Sequence, residues 1–250
     1  MNALKAQLKF DFIRLVLRDY SYQFFTLIMP LGFYLLFTKI FVVENGTAIK
    51  IFNKSYLSSM IIYSLLISAV FGFAQIIHGD RYQKLTNFLE LSPHGKVFYY
   101  LSVGLWMIIL NLIATFVLTI VAVLVNGFEL SGSQWFGLLI FSQIGQIPLL
   151  LIGLSLSNIS RQETLSVVCN LITFPMAIIS GLWWPLNILP SWIQPIGKIM
   201  PTYFANDILT KTLLNQKIEL NDFVMIAIWT LFCLILSIVV NKLVRKRILW

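Results

Sequence analysis

Six stretches of the chain contain no charged residue, and each is long enough to cross a bilayer. A helix needs about 20 apolar residues to span a hydrocarbon core of roughly 30 Å. The stretches are residues 20–38, 55–79, 97–128, 130–160, 164–197 and 223–241. The pattern therefore predicts an all-α integral membrane fold with six transmembrane helices.

The fifth stretch is longer than one crossing needs and changes character near Leu182. Residues 183–201 are apolar but contain half of the eight prolines, namely Pro185, Pro190, Pro195 and Pro201. This spacing prevents a continuous helix, and broken backbone at membrane depth must be surrounded by protein or water. We predict a re-entrant or interfacial helical hairpin that turns at Pro190 and ends at Pro201. Its anchors at the lipid–water boundary would be Trp183, Trp184 and Trp192. An ordinary extracellular loop lying on the membrane is the alternative.

The composition excludes a water-soluble surface. Hydrophobic residues make up 58% of the 250 and charged residues 11%, with a mean hydropathy of +0.85. So few charges cannot solvate a soluble ATPase or dehydrogenase domain, nor an intrinsically disordered chain. We attribute the net charge of +8 to cytoplasmic loops and to attraction for anionic lipid, not to nucleic acid.

The basic residues predict that both termini face the cytoplasm. Six crossings place the two ends on one side, and the segments on that side carry 12 of the 18 lysines and arginines. This bias follows the positive-inside rule. The first apolar stretch begins only near Tyr20 and lacks a small-residue cleavage site. We therefore expect the first helix to be retained, not removed as a signal peptide.

Residues 1–19 have the pattern of an interfacial amphipathic helix. The apolar positions Leu4, Leu8, Phe12 and Leu15 recur at spacings of four, four and three, and the basic residues lie largely elsewhere on the helix. Such a helix lies in the plane of the membrane surface. A cytosolic extension of the first crossing, with its lysines reaching toward water, fits the pattern equally well.

The inner loop between the second and third crossings predicts a short amphipathic helix over residues 79–95. Asp80 would cap it and Ser92-Pro93 would end it. The candidate docking residues for a cytosolic partner are Asp80, Arg81, Lys84, Leu85, Phe88 and Leu89. The alternative is a helix that lies flat on the lipid.

The six stretches contain only neutral polar side chains, which disfavours an ion-coupled transporter, a proton pump or a voltage sensor. The candidates that could line a pathway are Asn111, Gln143, Gln146, Ser166, Asn170 and Thr173. Residues of this type also join helices by hydrogen bonds, which is the more frequent use.

No motif in the sequence predicts catalysis or metal binding. The phosphate-binding pattern G-x-x-x-x-G-K-[ST] is missing, as are H-E-x-x-H and G-x-S-x-G. His78 and His94 are expected to be isolated loop residues. If the protein performs driven work, its energy source is therefore another chain.

The proline-rich region resembles the ABC-2 type membrane subunits of ATP-binding cassette exporters. Residues 181–195, GLWWPLNILPSWIQP, and 200–203, MPTY, are similar to the family's pattern after the fifth crossing. The run from Gly79-Asp80-Arg81 to Ser92-Pro93 is similar to the family's charged inner segment, although the usual Glu-x-Gly-Thr is missing. The span count and loop sizes agree along the whole chain, so we expect one transmembrane domain over residues 1–250.

The resemblance implies half of an exporter located in a bacterial plasma membrane. Two membrane subunits, identical or paralogous, would form the pathway, and two cytosolic P-loop ATPase subunits would bind ATP and magnesium and dock on the inner side. The outer gate would involve Trp183, Trp184, Pro185, Pro190, Trp192 and Pro201. We expect a hydrophobic or amphipathic substrate, because no outer domain is predicted that could handle a bulky polymer. An ATP-independent channel or facilitator is the alternative, and an intramembrane enzyme is the third possibility.

Overall fold

The computed structural model describes residues 8–16, 20–40, 47–83 and 97–248. Within these ranges the chain is helical apart from short connections, and it contains no strand. The all-α prediction is confirmed for this part of the chain.

Three continuous helical segments form the first half of the described chain. Helix α1 covers residues 8–16 and takes π-helical geometry at Phe12–Val16. Helix α2, Tyr20–Leu35, continues through a π-helical turn at Leu36–Ile40. Helix α3, Thr47–Leu66, continues without a break through the π segment Ile67–Gly72 into α4, Phe73–Tyr82.

The second half contains three long helices and a broken region between the last two. Helix α5 is Val97–Asn126, α6 is Gly132–Leu156 and α7 is Gln162–Ile179. A 3-10 turn at Leu186–Ile188 and the four-residue helix α8, Gln194–Gly197, follow. Helix α9 is Pro201–Leu213 and α10 is Leu220–Ile248.

Five helices of the described chain are long and apolar enough to cross a membrane. They are Ala48–Tyr82, Phe98–Asn126, Gly132–Leu156, Gln162–Ile179 and Leu220–Leu243. They correspond to the second to sixth predicted crossings. The first predicted crossing falls on α2 and its π turn, whose described apolar part is the shorter helix Thr26–Ile40.

The second crossing differs from its predicted window of 55–79. The helix extends past this window to exposed Lys50 at one end and to Asp80 at the other, where Asp80 and the preceding His78 are only 7% and 6% exposed. With 35 residues it is longer than the roughly 20 that one crossing needs. His78 lies within α4, so the expectation that it is a loop residue is wrong. Lys50 can extend its stem toward water, and Asp80 is neutralised by partners described below.

Glycines on one face of α6 bring the central helices into close contact. A side-chain carbon at Gly153 would lie 2.0 Å from the Ala69 carbonyl oxygen in the π segment. One at Gly145 would lie 2.7 Å from the Ala205 side chain of α9. Only glycine fits at such distances, so α6 packs directly on the backbone of its neighbours and forms the centre of the bundle.

The helices bring the chain's connections to two ends of the bundle. The inner end, named after the predicted orientation, carries α1, the end of α4 and the α6–α7 connection. The outer end carries residues 127–131 and 214–219. There Ser131 caps α6 through Gln134, and the Gln134 side-chain nitrogen donates to the Leu213 carbonyl at 2.9 Å. This bond ties the start of α6 to the end of α9.

Candidate functional site

Helix α1 is held to the bundle by a buried carboxylate. Asp11 has no exposed surface, and its two oxygens accept from Ser102 of α5 at 2.7 Å and from Arg14 at 2.9 Å. On the same face, the Trp106 indole donates to the Leu8 carbonyl at 3.0 Å, and its ring lies 5.0 Å from that of Phe12. Among residues 8–14, the most deeply buried side chain is therefore a charged one and not Leu8 or Phe12 of the predicted apolar stripe.

Arg14 connects this carboxylate to the end of the second crossing. Its guanidinium donates to one oxygen of Asp80, and the Tyr99 hydroxyl of α5 donates to the other. Burial lowers the pKa of Arg14, but the hydrogen bond and charge of Asp80, together with Asp11, outweigh this effect and raise it. We call Asp11, Arg14, Asp80, Tyr99 and Ser102 the inner network; it joins α1, α4 and α5.

The next residue along α4 reaches in a different direction. Arg81 donates to the Ser157 carbonyl at 3.2 Å and to the Asn158 side chain at 2.8 Å, both just after α6. It also donates to the Tyr100 hydroxyl of α5 at 3.2 Å. Asp80 and Arg81 together fix the end of α4 to three other helices.

Only two of the six predicted docking residues belong to the described chain. Asp80 and Arg81 lie in the last turn of α4, which continues to Tyr82, so the prediction that Asp80 caps a new helix is wrong. The carboxylate is occupied by Arg14 and Tyr99 and accepts no backbone N–H of a following helix. Lys84, Leu85, Phe88 and Leu89, with most of the predicted helix over 79–95, lie outside the described residues, as do residues 1–7 of the predicted amphipathic helix.

The tryptophans of the proline-rich region have different surroundings. Trp183 is half-buried, with its ring 5.2 Å from Phe33, 5.4 Å from Tyr63 and 5.8 Å from Phe174. It therefore packs between three helices and is not the lipid anchor that was predicted. Trp192 is 71% exposed, and Trp184 is 38% exposed.

The prolines of this region begin short helical pieces. Pro185 precedes the 3-10 turn Leu186–Ile188, Pro190 lies in a turn, and Pro195 lies in the first turn of α8. Pro201 begins α9, so the prediction that it ends the return is wrong. A proline is well suited to the first position of a helix, because the N–H it lacks has no intrahelical partner there.

The proline-rich region contacts α10 well inside that helix, away from its start at Leu220. The Trp229 indole donates to the Ile199 carbonyl at 2.8 Å. Trp229 is nine residues after Leu220, which is about 14 Å along the helix axis. A side-chain carbon at Gly197 would lie 2.1 Å from the Ile179 carbonyl oxygen, so α8 also packs directly on the end of α7.

Three of the polar candidates form one chain of hydrogen bonds between α5 and α6. The Asn111 amide donates to Gln146 at 2.6 Å, and Gln146 in turn donates to Gln143. Asn111 and Gln146 are 1% and 0% exposed. In this subunit these side chains join two crossings.

The three candidates on α7 are not equivalent. Ser166 accepts from the Gln75 amide at 2.8 Å and thus joins α7 to α4. Thr173 is buried, and its hydroxyl has no hydrogen-bond partner within the described chain. Asn170 is exposed in the middle of the helix.

A second charged group lies at the outer end. Lys211 of α9 is 2.6 Å from Asp207, 3.0 Å from Asp222 and 3.4 Å from Glu219. Burial lowers the pKa of the ammonium, but hydrogen bonds to Asp207 and Asp222 outweigh this effect and raise it. We call these four residues the outer charge cluster; it ties α9 to the start of α10.

Sequence reasoning missed most members of both groups. The Asp11 and Arg14 pair is visible as a spacing of three within α1, but its partner Asp80 is 66 residues further on. The four residues of the outer charge cluster lie within 16 positions, a local signal that could have been found. Within the described residues, no group of three or more histidine, cysteine or carboxylate side chains could hold a metal ion.

Comparison with known proteins identifies the family. The family model described as ABC-2 type transporter matches residues 3–214. A Bacillus subtilis (strain 168) protein named "Putative transport permease YvfS" is 26% identical over 203 residues, which cover 81% of this chain and 82% of that protein. ABC transporter G family member 20 of Dictyostelium discoideum is 32% identical over 93 residues, which cover 35% of this chain and 13% of that protein. The family match extends from α1 to the end of α9, and the chain therefore belongs to the ABC-2 type transporter family as a multi-pass membrane transport permease subunit.

Proposed function

We propose that this permease is the membrane half of an ATP-driven exporter, powered by a separate cytosolic P-loop ATPase. Membership of the family implies association with an ABC ATPase subunit. The observation that carries the proposal further is the inner network with Arg81, because it lies where the predicted docking segment leaves α4.

The geometry at this point is suited to transmitting force. Residues 84–96 begin three positions after Arg81, and Asp80 and Arg81 are bonded to α1, α5 and the end of α6. Buried charged hydrogen bonds hold their partners in one arrangement, since breaking one leaves an uncompensated charge. A displacement of a docked ATPase would therefore move four helices together.

The exposed Asn170 supports a pathway between two membrane subunits. It lies eight residues into the crossing α7, about 12 Å from its start. An amide at that depth is unfavourable against lipid. In the proposed assembly it faces either the second membrane subunit, identical or paralogous, or the pathway itself.

The proline-rich region supports an exit at the outer end. It contacts Trp229, about 14 Å along α10 from Leu220, and the end of α7 at Ile179, which supports a segment that is surrounded by protein, as a re-entrant segment requires. In this proposal residues 183–201 border the exit as a re-entrant hairpin. The substrate is a hydrophobic or amphipathic compound, and two ATPase copies supply ATP and magnesium chemistry from the cytoplasmic side.

The experiment is co-purification and transport with a candidate P-loop ATPase from the same organism. Replacing Leu85, Phe88 and Leu89 by alanine should remove apolar contacts worth about 1 to 3 kcal/mol each. ATPase association and ATP-dependent export into inverted vesicles should fall, while membrane insertion stays normal. The matched control replaces three exposed residues of α5, Leu101, Leu105 and Ile113, and should retain both activities.

The alternative, an ATP-independent channel or facilitator, gives the opposite result. Reconstituted permease alone would then move substrate down its gradient, and the triple alanine variant would transport like the unaltered protein. If the triple variant still transports substrate and still binds the ATPase, residues 84–96 have no docking role and only lie on the lipid surface.

A further inference from the structure

A cleft of about 250 Å³ opens at the outer end between α3, α9 and the segment after α7. Its floor is formed by Ser55 and Ser59 of α3 and by Tyr203, Asn206 and Asp207 of α9, with residues 180–186 as its roof. We call it the outer cleft. It is separate from the inner network and from the polar residues between α5 and α6.

The polar floor results from the helical spacing of both helices. Residues four apart on α3, and three and four apart on α9, share one face of each helix. The two faces meet where the Ser59 hydroxyl donates to the Asn206 side-chain oxygen at 3.4 Å. An amide oxygen and a hydroxyl oxygen each have two lone pairs, so both can also accept a hydrogen bond from a ligand.

The charge of the cleft is negative. Asp207 is the charged residue that lines it, and Asp207 belongs to the outer charge cluster, in which three carboxylates surround the single ammonium of Lys211. The cluster therefore has a surplus of two negative charges. With its side chain 28% exposed, Asp207 acts on the cleft through partly desolvated surroundings, where electrostatic attraction is stronger than in water.

Apolar and aromatic side chains complete the lining. Phe52 and Tyr56 of α3 form one wall, and Leu182, Pro185 and Leu186 contribute to the roof. Tyr56 is 4% exposed, and its hydroxyl has no hydrogen-bond partner within the described chain. Aromatic rings beside a carboxylate form a favourable environment for an alkylated ammonium or a guanidinium group.

A second cavity at this end has a net positive lining. It measures about 440 Å³ and is lined by Lys50, Ile51 and Lys54 of α3 together with residues 127–129 and 213–215, among which Glu129 offsets one of the two lysines. The sign of the outer cleft is therefore a local property and does not describe the whole outer end.

We infer that the outer cleft binds a small organic cation, an ammonium or guanidinium group on an apolar body. Asp207 supplies the counter-charge, the side-chain oxygens of Asn206 and of the two serines accept hydrogen bonds from the cation, and Phe52 and Tyr56 contact the apolar part. This chemistry fits either a lipid headgroup, such as that of phosphatidylethanolamine, or a soluble amine. The inference does not depend on ATP-driven export and is tested without an ATPase.

The test measures how fast a single cysteine in the cleft reacts with reagents of opposite charge. Ser59→Cys is made in the full chain with Cys169→Ala and Cys233→Ala and reconstituted in phosphatidylglycerol nanodiscs. The measured quantity is the labelling rate with trimethylammonium-ethyl methanethiosulfonate divided by the rate with its sulfonatoethyl counterpart. This ratio should be about tenfold larger at Ser59→Cys than at Ile51→Cys in the lysine-lined cavity. Hexylammonium should slow the reaction at position 59, and hexanol should not.

Two further variants distinguish an effect of the carboxylate that lines the cleft from a general effect of weakening the salt bridges to Lys211. Asp207→Asn should remove the preference for the cationic reagent, whereas Glu219→Gln removes another carboxylate from Lys211 outside the cleft and should keep it. If Asp207→Asn does not fold, protection by hexylammonium in the Ser59→Cys protein still decides. Equal charge preference at positions 51 and 59, or no protection by hexylammonium, overturns the inference.

The lipid composition identifies the source of the cation. Nanodiscs containing phosphatidylethanolamine should show protection at position 59 without added amine if the ligand is a lipid headgroup. Protection by hexylammonium alone, unchanged by this lipid, identifies a soluble amine. Either result supports the cation site.

Discussion

Single buried charges carry much of the information about how this permease is assembled. Asp11 and Asp80 each accept two hydrogen bonds, and Arg14 is shared between them. The sequence shows that Asp11 and Arg14 are close, because they are three residues apart in a helix. It cannot show that Asp80 completes the group, since that contact depends on how α4 and α1 pack on α5.

The losses of stability from changing Arg14 and Asp80 should not be additive. Asp80→Asn leaves Arg14 under-compensated and should cost about 3 kcal/mol, Arg14→Gln leaves both Asp11 and Asp80 without their counter-charge, and the double variant should lose less than the sum of the two. Thermal unfolding of the purified protein measures the cycle. Glu163→Gln, at the exposed start of α7, serves as control. Additive losses in the double variant would mean that the two residues do not interact.

Gly153 should not tolerate any side chain. Gly153→Ala places a carbon 2.0 Å from the Ala69 carbonyl oxygen, and the backbone of two helices must move apart, at a cost of about 1 to 3 kcal/mol. Gly104→Ala is the matched control, because a side-chain carbon there meets nothing within 4 Å. A melting temperature for Gly153→Ala equal to that of the control would contradict the close packing.

The charge preference of the outer cleft should depend on pH. Burial raises the pKa of Asp207 above its ordinary value, and Lys211 only partly offsets this effect. The carboxylate is therefore present above that raised pKa and is lost as the pH falls through it, at a higher pH than for an exposed aspartate. The ratio of cationic to anionic labelling at position 59 should fall accordingly. If Asp207 is the titrating group, the midpoint of this pH profile should be unchanged in Glu219→Gln, and the profile should be flat in Asp207→Asn. A pH profile that persists in Asp207→Asn would contradict this assignment.

At the scale of elements, the charge-free windows predict where the crossings lie but not where they end. Five of the six windows correspond to spanning helices within the described chain. The second window is shorter than its helix because Lys54 and Asp80 bound the charge-free pattern while the helix continues beyond both. A window test cannot distinguish a charge that ends a helix from one that reaches water or a buried partner. Likewise, proline spacing predicts the broken region but not that Pro201 begins α9.

The proline-rich region should lengthen into regular helix when its prolines are removed. Pro190→Ala with Pro195→Ala restores two backbone N–H donors and should impair substrate release while assembly and ATPase binding remain. An accessibility scan of single cysteines over residues 184–200 measures the change, with Ser191→Ala as control. A gate is supported if cysteines in the middle of residues 184–200 are protected from labelling and if this protection changes when ATP is trapped on the ATPase. Uniform labelling that nucleotide does not alter would identify a surface loop.

At the scale of the whole molecule, α6 organises the bundle and the two charged groups lie at opposite ends. Helices α9 and α10 and the π segment all pack on α6, and the inner network and outer charge cluster bind the connections on either side. The positions of five apolar helices and the basic bias were accessible from sequence. The pairing of helices was not, because the glycine contacts of α6 depend on three-dimensional approach.

The orientation follows from the basic bias and can be measured directly. Single cysteines replacing Ser131 and Asn215 at the outer end should react with an impermeant thiol reagent in intact cells, and one replacing Asn87 should not. Lysed cells provide the control, since all three positions should then react. Labelling of position 87 in intact cells would reverse the assigned orientation.

The π segment Ile67–Gly72 gives the second crossing a property that a regular helix lacks. A π turn holds one more residue than an α turn, and it can migrate along a helix by exchanging backbone hydrogen bonds one at a time. Each residue that it passes turns by about 100° and advances by about 1.5 Å relative to the rest. Ser55 and Ser59 lie on one side of this segment and Asp80 and Arg81 on the other. Only the residues between the old and the new position of the π turn change the direction that they face, so the middle of this crossing can turn against α6 without melting, while Asp80 and Arg81 keep their contacts at its inner end.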